Sequence, residues 1–153
     1  MKPVALHEML GENFFARVTA AQFNSLTKRY RNQDAAKDVS LDTLSDEQWQ
    51  SYFGAFTPFP DSFKTPLALC YHGHQFGIYN PEIGDGRGFL YAQLREDITN
   101  RLLDLGTKGS GTTPFSRSGD GRLTLKGAVR EILASEYLNA LSVNSCKILS
   151  VFE

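Results

Sequence analysis

The chain has 153 residues, enough for one domain with a real core, and its 16 Lys and Arg against 17 Asp and Glu give a net charge of −1. That balance excludes a general basic surface and with it the electrostatic case for nucleic acid. No apolar run approaches a membrane span, and Met1-Lys2-Pro3-Val4 opens neither a secretory signal nor an Arg/Ser-rich transit peptide.

Residues 1–30 mix apolar and polar positions without a clean period. Asn13 to Val18 is expected to be a short extended arm, with Phe14 and Phe15 docked on the core. The charged stretch 28–38, with Lys28, Arg29, Arg31, Asp34, Lys37 and Asp38, is expected to be a solvated loop. Leu41 to Phe53 predicts a short helix: Ser45 is its N-cap, and Asp46 and Glu47 fall in the first turn, where the helix dipole favours acids. Leu44, Trp49, Tyr52 and Phe53 supply its buried face, with Trp49 a core residue. Residues 54–66, with Pro58, Pro60 and Pro66, form a connection.

Pro66 to Tyr71 is short and apolar and predicts a strand running into the turn His72-Gly73-His74. No third ligand at zinc spacing accompanies the two histidines, so they are assigned hydrogen-bonding roles and no metal. Glu82 is a solvated carboxylate. Cys70 and Cys146 lack metal spacing and predict reduced thiols in a cytosol-like compartment. Phe89–Leu94 and Arg101–Thr107 predict two further strands, the second ending at Lys108. Leu123 to Leu141 predicts the longest helix, with Leu125, Val129, Ile132, Leu133, Tyr137 and Ala140 on a broad apolar face.

Glycine clusters with polar or charged neighbours recur four times between residues 71 and 131. They are Tyr71-His72-Gly73-His74-Gln75-Phe76-Gly77, Gly84-Asp85-Gly86-Arg87-Gly88, Lys108-Gly109-Ser110-Gly111 and Ser116-Arg117-Ser118-Gly119-Asp120-Gly121-Arg122. Glycine lets a backbone approach a ligand closely, and successive amides in such turns bind anions. Adjacent Arg and Lys add charge-assisted donors. The expectation is a phosphate-handling surface. A glycine turn between strands, followed by a lone lysine at a strand end, is the pattern of a protein-kinase upper lobe, and the Walker A spacing is absent. Such a lobe needs a helix glutamate to pair with the lysine. Glu131 and Glu136 both qualify by spacing, and the helical wheel does not choose between them.

These motifs, with Thr112-Thr113-Pro114-Phe115-Ser116-Arg117 and the run on to Arg130-Glu131, resemble the selenoprotein O family over about residues 65–153. The resemblance implies an α+β fold: a protein-kinase-like N-terminal lobe, an antiparallel sheet plus a C-helix-like helix, at 66–153, behind a helical and loop extension at 1–65. It implies a protein adenylyltransferase that binds ATP inverted, with Mg²⁺, and moves AMP to Ser, Thr or Tyr hydroxyls of proteins. By position, Gly84, Gly86 and Arg87 would contact the nucleotide from one glycine turn, and Asp120 and Gly121 from another. Lys108 would hold the phosphates, and Glu131 would pair with it. Two positions depart from the family pattern: His72 stands for a small residue, and Gly127-Ala128 for two hydroxyl residues. The family's base Asp, its metal-binding Asn and Asp and two further Arg are expected beyond residue 153, so the chain resembles the upper lobe of a longer enzyme and is expected to be inactive alone. A kinase moving the γ-phosphoryl group and a non-catalytic nucleotide-binding remnant are the alternatives. The expected compartment is the cytoplasm, or the mitochondrion in a eukaryote.

Overall fold

The computed structural model describes residues 1–153. In chain order the elements are β1 (Pro3–Val4), β2 (Phe15–Arg17), β3 (Lys28–Arg31), α1 (Gln33–Lys37), α2 (Asp46–Phe53), β4 (Leu67–Leu69), β5 (Gly73–Gln75), β6 (Ile78–Asn80), β7 (Leu90–Arg95), β8 (Leu102–Gly106), α3 (Leu125–Ala140) and β9 (Ser150–Phe152). The fold is mixed, with three antiparallel sheets and few helices.

Strand β7 is the hub. Leu90 to Leu94 are fully buried, as a continuous apolar run with one glutamine should be when both faces are covered. Strand β8 pairs along one edge, from Leu90 opposite Gly106 to Arg95 opposite Leu102. The other edge is shared: β4 meets it at Leu67–Leu90, and β1 meets it at Val4–Gln93 and Pro3–Leu94. Strand β2 then pairs with β4. Buried Gln93 satisfies its amide on both sides, donating to Asp104 Oδ1 at 2.7 Å and accepting from the His7 amide at 2.8 Å.

The main core joins the first third of the chain to the sheet. Val18, Ala36, Val39, Leu41, Trp49 and Phe59 pack with Ala68, Phe89, Tyr91, Ala92 and Leu94. A smaller cluster of Phe15, Phe63, Leu67 and Leu90 lies beside it. Trp49 is fully buried, and its indole N–H donates to Ser150 Oγ at 2.9 Å. The Arg31 guanidinium covers its ring at 4.1 Å from the centroid. Ser45 does cap α2: its hydroxyl accepts from Gln48 N, and Gln48 Oε1 accepts from Ser45 N. The helix starts at Asp46, so Leu41–Leu44 lead into it.

Three expectations are corrected. Residues 28–38 are not a solvated loop. They form β3, which pairs with β9, and α1, which buries Ala35 and Ala36. The charges mislead because the Arg31 guanidinium lies over the Trp49 ring while its N–H groups donate to Leu44 O and Asp46. Phe14 does not dock: it is 50% exposed at the end of a 3-10 turn over Glu12–Phe14, while Phe15, the first residue of β2, is buried. Along α3, Leu125, Val129, Leu133 and Tyr137 form an exposed line at four-residue spacing; the residues it buries are Ala128 and Ser135.

Strands β5 and β6 form an arm that pairs with no other strand. Its turn residues Phe76 (φ 54°) and Gly77 (φ 78°) are both left-handed, the conformation that matches a two-residue hairpin to strand twist. The root of the arm is tied by Tyr71 N to Ile83 O and by Asp85 N to Leu69 O, both 2.9 Å.

Candidate functional site

The arm delivers the turn Gly84–Gly88 to the end of β8. Close approach, not backbone sign, requires glycine here. A Cβ on Gly88 would lie 2.1 Å from Thr107 O, and one on Gly84 would lie 2.5 Å from the Phe115 ring. The turn forms one wall of a cavity of about 370 Å³. Gly86, Arg87 and Gly88 line it with Asp85 and Tyr71, and Asp104, Gly106, Thr107 and Lys108 close it from β8. Strand parity explains Asp104 and Gly106: with Leu102 they are the exposed positions of β8, Leu103 and Leu105 are packed against the core, and Thr107 and Lys108 follow the strand's end.

Lys108 Nζ donates to Glu131 Oε1 at 2.6 Å. Glu136, the other acid at suitable spacing, accepts from Asn32 Nδ2 at 2.9 Å and from Tyr30 Oη at 3.3 Å. It therefore faces β3 and α1, away from Lys108. Lys108 and Glu131 also border a second cavity, of about 750 Å³, between β8, α3 and residues 146–153. Fourteen of its 26 lining residues are hydrophobic, while Lys108, Glu131 and Arg122 are among its charged ones.

The structure does not gather every expected residue. Gly86, Arg87 and Lys108 share the first cavity; Gly84, Asp120 and Gly121 line neither. Gly84 pairs with Cys70 and lies under Phe115. Gly121 is left-handed (φ 69°), and a Cβ there would lie 2.2 Å from the Gly111 carbonyl. Asp120 is exposed, and its Oδ1 accepts from Arg122 N at 2.9 Å, closing an Asx-type turn. Thr124 caps α3 by accepting from Gly127 N at 3.1 Å. His72 Nδ1 is hydrogen-bonded to Tyr79 Oη on the arm, and Glu82 is exposed. No group of three or more His, Cys, Asp or Glu converges in the chain.

The motif reading passed over Asp85 and Asp104 as individuals. Asp104 was detectable, because it shares strand parity with Gly106, two residues before Lys108. Asp85 carried no sequence signal beyond its glycines. Burial raises its carboxyl above the ordinary value, against hydrogen bonds from Leu69 N at 3.0 Å and Tyr71 Oη at 3.5 Å and the nearby His7 imidazole. Burial and the Asp85 charge together raise the Tyr71 phenol.

A second segment braces the turn. Gly109 N donates to Arg87 O at 2.7 Å, Ser116 Oγ donates to Gly86 O at 2.5 Å, and Thr113 Oγ1 donates to Asp85 O.

A family description, "Protein adenylyltransferase SelO", matches residues 3–153. The chain belongs to the SelO family. Its similar relatives carry the name "Protein nucleotidyltransferase YdiU". That of Trichormus variabilis is 51% identical over 148 residues, 95% of this chain and 30% of the relative. Those of Synechocystis sp. (49%, with 95% and 30% covered) and Vibrio vulnificus (38%, with 95% and 29% covered) align over the same extent. The chain thus spans about 30% of the length of these nucleotidyltransferases. No helix is long and apolar enough to cross a membrane.

Proposed function

We propose that this chain is the nucleotide-handling lobe of a protein adenylyltransferase, in which Lys108, held by Glu131, and Arg87 bind the phosphates of ATP. The observation that carries this reading is the pair at 2.6 Å beside a cavity that Lys108 shares with Arg87 and the Gly86–Gly88 turn. Two cations on facing walls, one of them carried by the close-approaching glycine turn, fit a polyphosphate. A lysine at the end of a sheet strand, paired with a glutamate on α3, supports a kinase-like lobe. Residues 66–153 form the nucleotide-binding region of this reading, and 1–65 its extension. Two unpaired cysteines agree with action in the cytoplasm.

When bound, ATP supplies an adenylyl group for a protein Ser, Thr or Tyr hydroxyl and a pyrophosphate leaving group. Arg87 and Lys108 neutralise charge that grows on the phosphates as the bond to the leaving group lengthens. Glu131 fixes the lysine's position, and misplacement alone costs on the order of 10²-fold. Gly84, Asp120 and Gly121 act in this reading through the two turns they shape. Mg²⁺ belongs to the reaction, with its ligands and the base outside this lobe, so residues 1–153 alone transfer nothing.

The test is label transfer to protein from ATP labelled at the α- or the γ-phosphorus, with Mg²⁺. Chain 1–153 is run beside the Trichormus variabilis relative, with and without the substitution matching Lys108→Ala. The expected result is α-label on protein with the relative alone, abolished by the substitution. Transfer of γ-label alone would make the family member a kinase. No transfer from either label would leave a nucleotide-binding remnant.

A further inference from the structure

The hydrogen bonds that brace the Gly84–Gly88 turn fix which way its peptides face. In a planar trans peptide the carbonyl of one residue and the amide of the next point in opposite directions, and no peptide in the chain is cis. The carbonyls of Asp85, Gly86 and Arg87 accept from Thr113 Oγ1, Ser116 Oγ and Gly109 N in turn. Three successive carbonyls are therefore anchored to the segment 109–116. The amides of Gly86, Arg87 and Gly88 must each point away from it.

Those three amides donate to no backbone or side-chain acceptor of the chain, whereas the flanking amides of Asp85 and Phe89 donate to Leu69 O and Thr107 Oγ1. The residues 109–116 do not line the 370 Å³ cavity; Gly86, Arg87 and Gly88 do, with Lys108 opposite. The free donors thus lie on the side of the turn away from 109–116, and the turn itself lines the cavity that Lys108 shares. Backbone N–H groups buried without partners are costly, so a row of three on a cavity wall is either solvated or meant for an anion.

The bracing hydroxyls are themselves held. Thr113 Oγ1 accepts from Phe115 N at 3.1 Å, and Ser116 Oγ accepts from Thr113 N at 2.9 Å. Each hydroxyl's single proton is thereby committed to the glycine-turn carbonyl. Neither Thr113 nor Ser116 lines the cavity, so neither is placed to touch a ligand there.

We propose that Thr113 and Ser116 are positioning residues: they lock the 85–88 peptides so that the amides of Gly86, Arg87 and Gly88 form a three-donor cradle for the phosphate chain of a nucleotide. This rests on the nucleotide reading of the site and assigns the phosphate, not the base, to the turn. Arg87 contributes twice, through its amide and its guanidinium. The carboxylates of Asp85 and Asp104 border the same cavity and oppose an anion near them, which confines the cradle to the turn itself.

The experiment uses ¹⁵N-labelled chain 1–153 titrated with inorganic pyrophosphate, ATP and adenosine. Pyrophosphate and ATP should move the amide signals of Gly86, Arg87 and Gly88 most, and adenosine should leave them in place. Thr113→Val and Ser116→Ala should each weaken pyrophosphate and ATP about tenfold, the loss of roughly one oriented donor, without changing the affinity for adenosine. Thr113→Ser, which keeps the hydroxyl, should bind as the parent does. ATP binding with these three amides unmoved overturns the proposal and leaves the nucleotide reading standing. So does unchanged pyrophosphate affinity in the folded variants. A parent chain that binds neither ATP nor pyrophosphate overturns both. Should Thr113→Val or Ser116→Ala fail to fold, the amide map of the parent and the Thr113→Ser affinity still decide.

Discussion

Lys108 at the end of β8 and Glu131 on α3 are joined by a 2.6 Å ion pair whose side chains remain 46% and 42% exposed. A pair so open to water contributes about 0–1 kcal/mol to stability, because solvent screens it and two long side chains must be ordered. Lys108→Ala and Glu131→Gln should therefore each shift unfolding by less than about 1 kcal/mol. Both should nevertheless weaken ATP, with the lysine change the larger. Urea unfolding and ATP titration, run on the same samples, separate the two effects. A large stability loss with unchanged ATP affinity would make the pair a structural strut and nothing more.

Trp49 binds together parts of the chain that sequence distance keeps apart. It is fully buried, donates to Ser150 on β9 and carries Arg31 of β3 on its ring. Trp49→Ala should cost about 3–5 kcal/mol, the range for deleting a large buried aromatic. Trp49→Phe should cost less while still orphaning Ser150 Oγ on that side. Circular dichroism in urea measures both without relying on the only tryptophan for signal.

How much of this was legible follows from the range of the interactions. Ser45 as a cap, Trp49 as core and the strands on either side of Arg95–Arg101 were readable, because each is set by neighbours within a few residues. The β3–β9 sheet was not: Lys28 pairs with Phe152, and neither strand has a local period to betray it. The charges on β3 pointed the wrong way because the arginine that looks solvated is the lid on the core tryptophan. At the site, the glycine turn and Lys108 stood out as motifs. The geometry that sets Glu131 apart from Glu136 did not, since it depends on Tyr30 and Asn32, about a hundred residues away in sequence. The apolar stripe of α3 had the right period, but a period alone does not say which side of a helix meets the core.

The glycines of the site should respond to substitution in a definite order. An added Cβ at Gly88 would sit 2.1 Å from Thr107 O, a backbone atom that moves only if β8 moves. At Gly86 the nearest atom is Phe115 O at 3.3 Å, which needs a shift of a few tenths of an ångström. Gly88→Ala should destabilise by about 3 kcal/mol or prevent folding, while Gly86→Ala should cost about 1 kcal/mol or less. Denaturant midpoints rank them. Equal tolerance at both positions would mean that the turn is looser than its hydrogen bonds imply.

Asp85 ties the site to pH. Burial raises its carboxyl above the ordinary value of 3.8, so the folded chain holds this proton more tightly than the unfolded chain does. Below both values the group is protonated in either state and has no effect. As pH rises from 3.8, the unfolded chain ionises first, and the fold loses stability until its own carboxyl has titrated; above that point the deficit is complete. Asp85→Asn keeps an acceptor for Leu69 N and cannot ionise. Its stability relative to the parent should therefore improve from pH 4 to pH 7. Urea midpoints of the two proteins at both pH values give the comparison directly. A constant difference would mean that Asp85 titrates alike in the folded and unfolded chains. A difference moving the other way would mean that the hydrogen bonds from Leu69 and Tyr71 outweigh burial.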